Sequence, residues 1–94
     1  MDFGLPELTE EQIEEVCAVA EDAARKYIFS KVAAKMVENL DISVEAEGSK
    51  PVNLTVEVDL VLSPEARLIN EKTLAGESVK ESFKAIENYL RKLT

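Results

Sequence analysis

The side chains that could do chemistry in this chain of 94 residues are carboxylates and one thiol. Glu45 and Glu57 lie on neighbouring predicted strands and could share a metal ion or a proton, but the pattern around them predicts no pocket. Cys17 could act as a nucleophile only if it were exposed beside a base. It lies between Val16 and Ala20 in an apolar stripe, where a cysteine usually behaves as a small buried hydrophobic residue.

Other residue types that support catalysis are missing or scattered. Histidine is absent, which removes the commonest general base and the commonest transition-metal ligand. Gly4, Gly48 and Gly76 are far apart and form no phosphate-binding loop. We therefore predict no catalytic residue, no cofactor and no metal. The chain is expected not to be an enzyme, and a small enzyme that uses carboxylates is the weakest alternative.

Basic residues concentrate late in two predicted helices, where they compensate the helix dipole. They are Arg25, Lys26, Lys31, Lys35, Lys84, Arg91 and Lys92. If the two helices lay side by side and parallel, these residues would form an auxiliary surface for RNA. The net charge of −8 opposes independent binding to nucleic acid or to an anionic membrane.

Two segments have the apolar period of an amphipathic helix. The first follows a capping box at residues 9–12. We predict a break near residues 29–31, because a straight helix of about thirty residues would be about 45 Å long and would overhang the sheet. The second helix has Asn70 as its N-cap and contains Gly76, which costs about 1 kcal/mol relative to alanine.

Residues 40–46 and 52–62 alternate apolar and polar side chains, which is typical of half-buried β-strands. We predict one antiparallel hairpin with a loop at residues 47–51. In this register Leu40 lies opposite Val58, and Asp41 lies opposite Glu57 as a like-charge pair. The predicted fold class is α+β, in the order α-β-β-α, with both amphipathic helices packed on one face of the hairpin.

The second predicted strand continues past the end of the first, and this tail is apolar on both faces. A strand edge without a partner invites pairing with another chain. We therefore predict an interface that combines the tail with nearby carboxylates of the outer face. The alternative is that this acidic face is simply exposed to solvent. The predicted interface residues are Leu60, Val61, Leu62, Asp41, Glu57 and Asp59.

Length and composition predict one domain over residues 1–94, in which residues 1–8, with Gly4 and Pro6, form an irregular lead-in. The longest apolar run is too short to span a bilayer, and no leader-like segment opens the chain. The single cysteine fits a reducing compartment. We expect a cytoplasmic protein that makes no contact with membranes.

Three stretches, residues 24–32, 40–45 and 60–64, carry a resemblance to a known family, together with a closing helix that ends in Tyr89-Leu90-Arg91. The chain resembles the small dimerising subunit of the KEOPS complex. It resembles more closely a small archaeal family of formerly unknown function, related to that subunit as a paralogue. The KEOPS subunit has an additional strand before its first helix, which the predicted lead-in does not match.

The resemblance implies a non-catalytic accessory or dimerisation subunit of the complex that makes threonylcarbamoyladenosine in tRNA. The partners that it implies are a second copy or a paralogous small subunit and, through it, an ATP-binding catalytic subunit. It implies that tRNA is engaged only indirectly. The alternative hypothesis is a homodimeric structural or interaction protein unrelated to RNA modification.

Overall fold

A three-stranded sheet and two helices make up residues 2–5, 8–47, 52–66 and 68–93, which the computed structural model describes. The elements are β1 (Asp2–Leu5), α1 (Glu10–Lys31), β2 (Val37–Glu47), β3 (Val52–Leu62) and α2 (Glu71–Leu93), with 3-10 turns at Ala34–Met36 and Pro64–Ala66. β3 lies between β1 and β2 and is antiparallel to both. α1 packs mainly on β2 and α2 on β3. The predicted α+β class and the α-β-β-α order are confirmed.

Local capping fixes where the helices begin and end. The Thr9 hydroxyl accepts a hydrogen bond from the Gln12 amide at 3.2 Å, and the Thr9 amide donates to the Gln12 side chain at 2.9 Å. α1 ends at Lys31, which confirms the predicted break. The Asn70 side chain accepts from the Thr73 amide at 3.0 Å, as expected of the N-cap of α2.

Alternate residues of β3 point towards the helices and complete two apolar clusters. The first contains Val16, Ala20, Leu54, Val56, Val79 and Ile86. The second contains Ile28, Val32, Leu60, Leu62 and Leu74. Both clusters draw on both helices and on one face of the sheet, and burying a side chain such as Ile28 contributes about 1.5–3 kcal/mol. None of the described helices is long and apolar enough to cross a membrane.

The two helices meet along a seam of small buried residues, Ala20 and Ala24 on α1 and Ser78 and Ser82 on α2. The Ser82 hydroxyl donates a hydrogen bond across this helix seam to the Ala20 carbonyl at 2.8 Å. Further along, the Tyr89 hydroxyl donates to the Glu15 carboxylate. Since later residues of α2 lie beside earlier residues of α1, the helices are antiparallel.

Replacing Ser82 by alanine is expected to lower the free energy of unfolding by about 1 kcal/mol, because a buried hydrogen bond between the helices is lost. Urea denaturation followed by circular dichroism measures the change. Ser30→Ala is the matched control, since the exposed Ser30 hydroxyl bonds only within its own helix, to the Tyr27 carbonyl. Equal losses in the two variants would contradict a role for Ser82 between the helices.

The hairpin register differs from the predicted one by two residues. Leu40 pairs with Leu60 instead of Val58, and Asp41 pairs with Asp59 instead of Glu57. A slip of two residues keeps every side chain on its own face, so the apolar–polar alternation could not distinguish the two registers. Residues 48–51 of the predicted loop lie outside the described residues.

The predicted overhang of the second strand is wrong. β2 begins at Val37, and residues 60–62 of β3 pair with Leu40, Asn39 and Val37 in turn. The register shifts between Val37 and Asn39, so that Glu38 forms a bulge. The bulge interrupts the apolar–polar alternation at the start of β2. The sequence pattern therefore did not indicate that residues 37–39 belong to this strand.

The predicted irregular lead-in is wrong for Asp2–Leu5, which forms β1 and pairs with residues 52–55 of β3. Gly4 and Pro6 are poor strand residues by local preference. The backbone hydrogen bonds that β3 offers to a neighbour outweigh that preference. The strand before the first helix, which the lead-in was expected to lack, is therefore present.

Candidate functional site

The predicted interface residues separate into two environments. The side chains of Leu60 and Leu62 are 8% and 6% exposed and belong to the second core cluster, so they are not available to a partner. Val61 is 44% exposed and lies on the opposite face of the sheet, together with Asp41, Glu57 and Asp59. The candidate site is therefore the outer face of the sheet and its border.

We call the outer side chains Asp41, Glu45, Glu47, Glu57 and Asp59 the acidic face. All are exposed, and both helices pack against the other side of the sheet. Asp41 and Asp59 are directly opposite each other on neighbouring strands. Like charges in this arrangement destabilise a sheet, so the acidic face carries unfavourable electrostatic energy.

One border of β3 lacks a neighbouring strand. β1 covers it only at residues 52–55, and no described residue pairs with this border at residues 57–62, which we call the open edge. The Ser63 amide donates to the Met36 carbonyl at 2.7 Å. The amide and carbonyl groups of the odd-numbered residues in this part of β3 therefore point towards β2. Successive residues of a strand turn these groups to opposite sides. Val58, Leu60 and Leu62 therefore direct theirs to the open edge.

The flank of α2 beside the open edge contains Gly76. α2 turns Ser78 towards α1 and Val79 towards the sheet. At about 100° per residue, Gly76 then lies on the side of α2 away from α1, above the open edge. A Cβ atom built on Gly76 meets nothing within 4 Å, so no described contact requires a glycine there. This flank leaves free space beside the strand edge.

The predicted basic surface is not assembled, because it required parallel helices and the helices are antiparallel. Arg91 and Lys92 lie level with the acidic start of α1, whereas Lys31 ends that helix and Lys35 follows it. Lys26 and Lys84 line one groove between these ends. Arg25, Lys26 and Lys84 form ion pairs within their own helices. These pairs are Arg25–Glu21 at 2.7 Å, Lys26–Asp22 at 2.9 Å and Lys84–Glu81 at 3.6 Å.

The residues singled out for chemistry are placed on unrelated parts of the molecule. Glu45 pairs with Thr55 and Glu57 with Ser43, both on the acidic face. Among the described residues, no group of three acidic or thiol side chains converges on a point that could hold a metal ion. Cys17 is partly buried against the first core cluster, and this burial raises the pKa of its thiol.

Sequence reasoning missed the flank at Gly76, the bulge at Glu38 and an exposed apolar side chain at Leu68. Leu68 is fully exposed beside a groove of about 270 Å³. That groove is lined by Lys31, Val32, Ala33, Met36, Glu65, Ala66, Leu68 and Ile69. A glycine in the middle of an otherwise regular helix was the one signal in the chain that marked the flank.

The Cys17 thiol is expected to react slowly, since its raised pKa leaves less thiolate at a given pH. Alkylation by iodoacetamide, measured against pH, should show a higher midpoint in the folded protein than in the same chain unfolded in guanidinium. A lower midpoint in the folded state would indicate an activated nucleophile and would favour the enzyme alternative.

Relieving the Asp41–Asp59 pair is expected to stabilise the protein. Asp41→Lys should raise the free energy of unfolding by about 0.2–1 kcal/mol, because a repulsive cross-strand pair becomes attractive. Glu57→Lys makes the same charge change on the same face, but opposite the neutral Ser43, and should have a smaller effect. Chemical denaturation at low ionic strength compares the two, and a larger gain from Glu57→Lys would contradict the observed register.

Comparison with known proteins gives one family match and several relatives. A family profile described as Protein of unknown function (DUF3194) matches residues 5–89. An uncharacterised protein of Thermococcus kodakarensis is 31% identical over 91 residues, which cover 97% of this chain and 83% of the relative. One of Pyrococcus furiosus is 30% identical over 92 residues, which cover 98% of this chain and 82% of the relative.

Two solved structures are similar to the fold described above. A crystal structure from Thermococcus onnurineus NA1 has a TM-score of 0.84 at 25% identity and covers 98% of this chain and 88% of its own. The solution structure of a hypothetical protein from Methanothermobacter thermautotrophicus has a TM-score of 0.74 at 22% identity, with 94% of each chain covered. The second likeness is one of fold alone.

Proposed function

Since the chain belongs to the DUF3194 family of uncharacterised archaeal proteins, its role has to be argued from its own geometry, and we propose that it is a non-catalytic accessory subunit of a larger assembly. The assembly proposed is the complex that makes threonylcarbamoyladenosine in tRNA, in the cytoplasm. The proposed partners are a second copy or a paralogous small subunit and, through it, an ATP-binding catalytic subunit.

The observation that carries this proposal is the open edge of β3. In folded proteins the exposed edge of a β-sheet is usually covered, shortened or protected by charged residues, because an exposed edge can pair with another chain. Here the edge at residues 57–62 contains the core residues Leu60 and Leu62, whose buried side chains anchor the strand to the helices. The outer border of β2 has no described neighbour either, so the sheet is unfinished on both borders, which suits a subunit that adds to a partner.

Topology supports the tRNA-modification part of the proposal. The small KEOPS subunit, which this sequence resembles, has a strand before its first helix, and β1 occupies that place in this chain. In this respect the two proteins agree, because each has a strand before its first helix.

The distribution of charge supports an indirect relation to tRNA. Lys31 and Lys35 lie at one end of the antiparallel helix pair and Arg91 and Lys92 at the other. Lys26 and Lys84, which line one groove between them, each form an ion pair with a carboxylate of their own helix. Among the described residues of β2 and β3, the charged outer side chains are all carboxylates. Such a surface favours contact with protein over contact with phosphate groups.

Light scattering after size exclusion tests the proposal, with the protein alone and mixed with the small KEOPS subunit of the same organism. We expect a stable complex, which also retains the ATP-binding catalytic subunit when that subunit is added to the mixture. A monomer that ignores the small subunit would contradict the proposal. Association with itself alone would favour the homodimeric structural protein.

Gly76→Trp is expected to weaken this complex at least about tenfold, because a large side chain would fill the free space above the open edge. Glu87→Trp is the matched control. It lies on the same flank but further along α2, near the part of β3 that β1 already covers. Unchanged affinity for Gly76→Trp, measured by calorimetry, would place the interface elsewhere.

A further inference from the structure

The geometry points to one kind of partner for the open edge: an extended segment of a basic protein, added as a fourth strand with a lysine or arginine opposite Asp59. This inference rests on the proposed function and deepens it, since it states the chemistry of the partner strand.

Backbone geometry supplies the first argument. Val58, Leu60 and Leu62 turn their amide and carbonyl groups to the border that no described strand occupies. When an extended segment adds to such an edge, main-chain hydrogen bonds give the affinity and alternate side chains give the specificity. On the outer face of the sheet, the side chains of odd-numbered β3 residues would then lie beside the outward side chains of the added strand.

The acidic face determines which outward side chains fit. A residue opposite Asp59 on an added strand would have its Cβ atom about 4.5–5.5 Å from that of Asp59. Asp41 already flanks Asp59 on the other side. A cation in this position would therefore relieve an existing repulsion, whereas a third carboxylate would extend it. Glu57 and the exposed Val61 complete the outer side of the edge.

A second copy of this chain fits the edge poorly. A twofold pairing of two open edges centred on Val58 places Glu57 opposite the Asp59 of the other copy, and one centred on Asp59 places that residue opposite itself. A pairing centred on Leu60 pairs residues 58–62 and places Asp59 opposite Val61, so it offers that carboxylate no cation. Each copy also carries a net charge of −8, which adds long-range repulsion.

The helix side of the edge has room for the inward side chains of a partner strand. Gly76 has no neighbour within 4 Å of a built Cβ atom and lies above the edge. Glycine is unfavourable in a helix interior, and no contact in the described part of the chain requires it here. Space is thus available where valine-sized side chains of the added strand would lie.

The test uses the intact protein and three blocked heptapeptides as probes. The first alternates lysine and valine, the second has glutamate in place of lysine, and the third is the lysine peptide with every valine amide N-methylated. We expect the lysine peptide to bind at least about tenfold more tightly than the glutamate peptide. It should also protect the amides of Val58, Leu60 and Leu62 from hydrogen exchange in nuclear magnetic resonance spectra. The methylated peptide should not bind, because it keeps the charge but loses donors to the edge.

Two variants locate the charge preference. Asp59→Lys is expected to reverse the order of the lysine and glutamate peptides. Glu47→Lys is the matched control, because Glu47 lies on the acidic face but on β2, away from the open edge. It should leave the order unchanged. Both side chains are exposed, and circular dichroism verifies that each variant is folded.

Three results would overturn the inference. Equal binding of the methylated peptide would mean that charge alone attracts the probes. Self-association that protects the same amides without peptide would make a second copy the occupant. Absence of any binding would leave the edge without this function.

If these results occurred while the small KEOPS subunit still formed a complex, the proposed function would stand and only the partner chemistry would fail. If the lysine peptide bound as expected but no complex formed with the small KEOPS subunit, the partner chemistry would stand and the proposed function would fail.

Discussion

Close approach of the two helices is the constraint on which the arrangement depends. Ala20, Ala24, Ser78 and Ser82 are fully buried at the helix seam, where small side chains leave room for close approach of the two backbones. Two helices packed side by side are about 8–10 Å apart, roughly the width of two strands. The seam thus fixes how much of the sheet the helices cover, and it places α1 over β2 and α2 over β3.

From that placement follow two surfaces that the described part of the chain leaves without a cover, the acidic face and the open edge. The helices occupy one face of the sheet, so every odd position of β2 and β3 beyond the bulge stays on the outside. α2 lies over the central strand, so its outer flank stands above the border of β3. β1 is too short to fill that border. The surfaces are consequences of helix packing as much as of the strands themselves.

Sequence periodicity predicted the parts of the fold that depend on local pattern. The capping residues Thr9 and Asn70, the end of α1 and the buried faces of both hairpin strands all follow from residue type and spacing. The register did not follow, because two registers bury the same residues. β1 did not follow either, since its stability comes from β3 and not from its own four residues.

The candidate site was only partly predictable for the same reason. Asp41, Glu57, Asp59 and Val61 share the outer surface as the alternation indicated. The alternation places Leu60 and Leu62 at an interface because it begins the first hairpin strand at Leu40, whereas β2 begins at Val37. The bulge at Glu38 interrupts the very pattern on which that assignment relied. The open edge lies on the other side of the same strand, where only the three-dimensional order of strands reveals it.

The shortness of β1 has a consequence for the dynamics of the sheet. Its residues pair with positions about fifty residues away, so each contact closes a long loop and few hydrogen bonds hold it. Such a segment opens locally at a small fraction of the cost of global unfolding. When it opens, the free border of β3 extends from residues 57–62 to the whole strand. The length of the free border of β3 therefore depends on whether β1 stays paired.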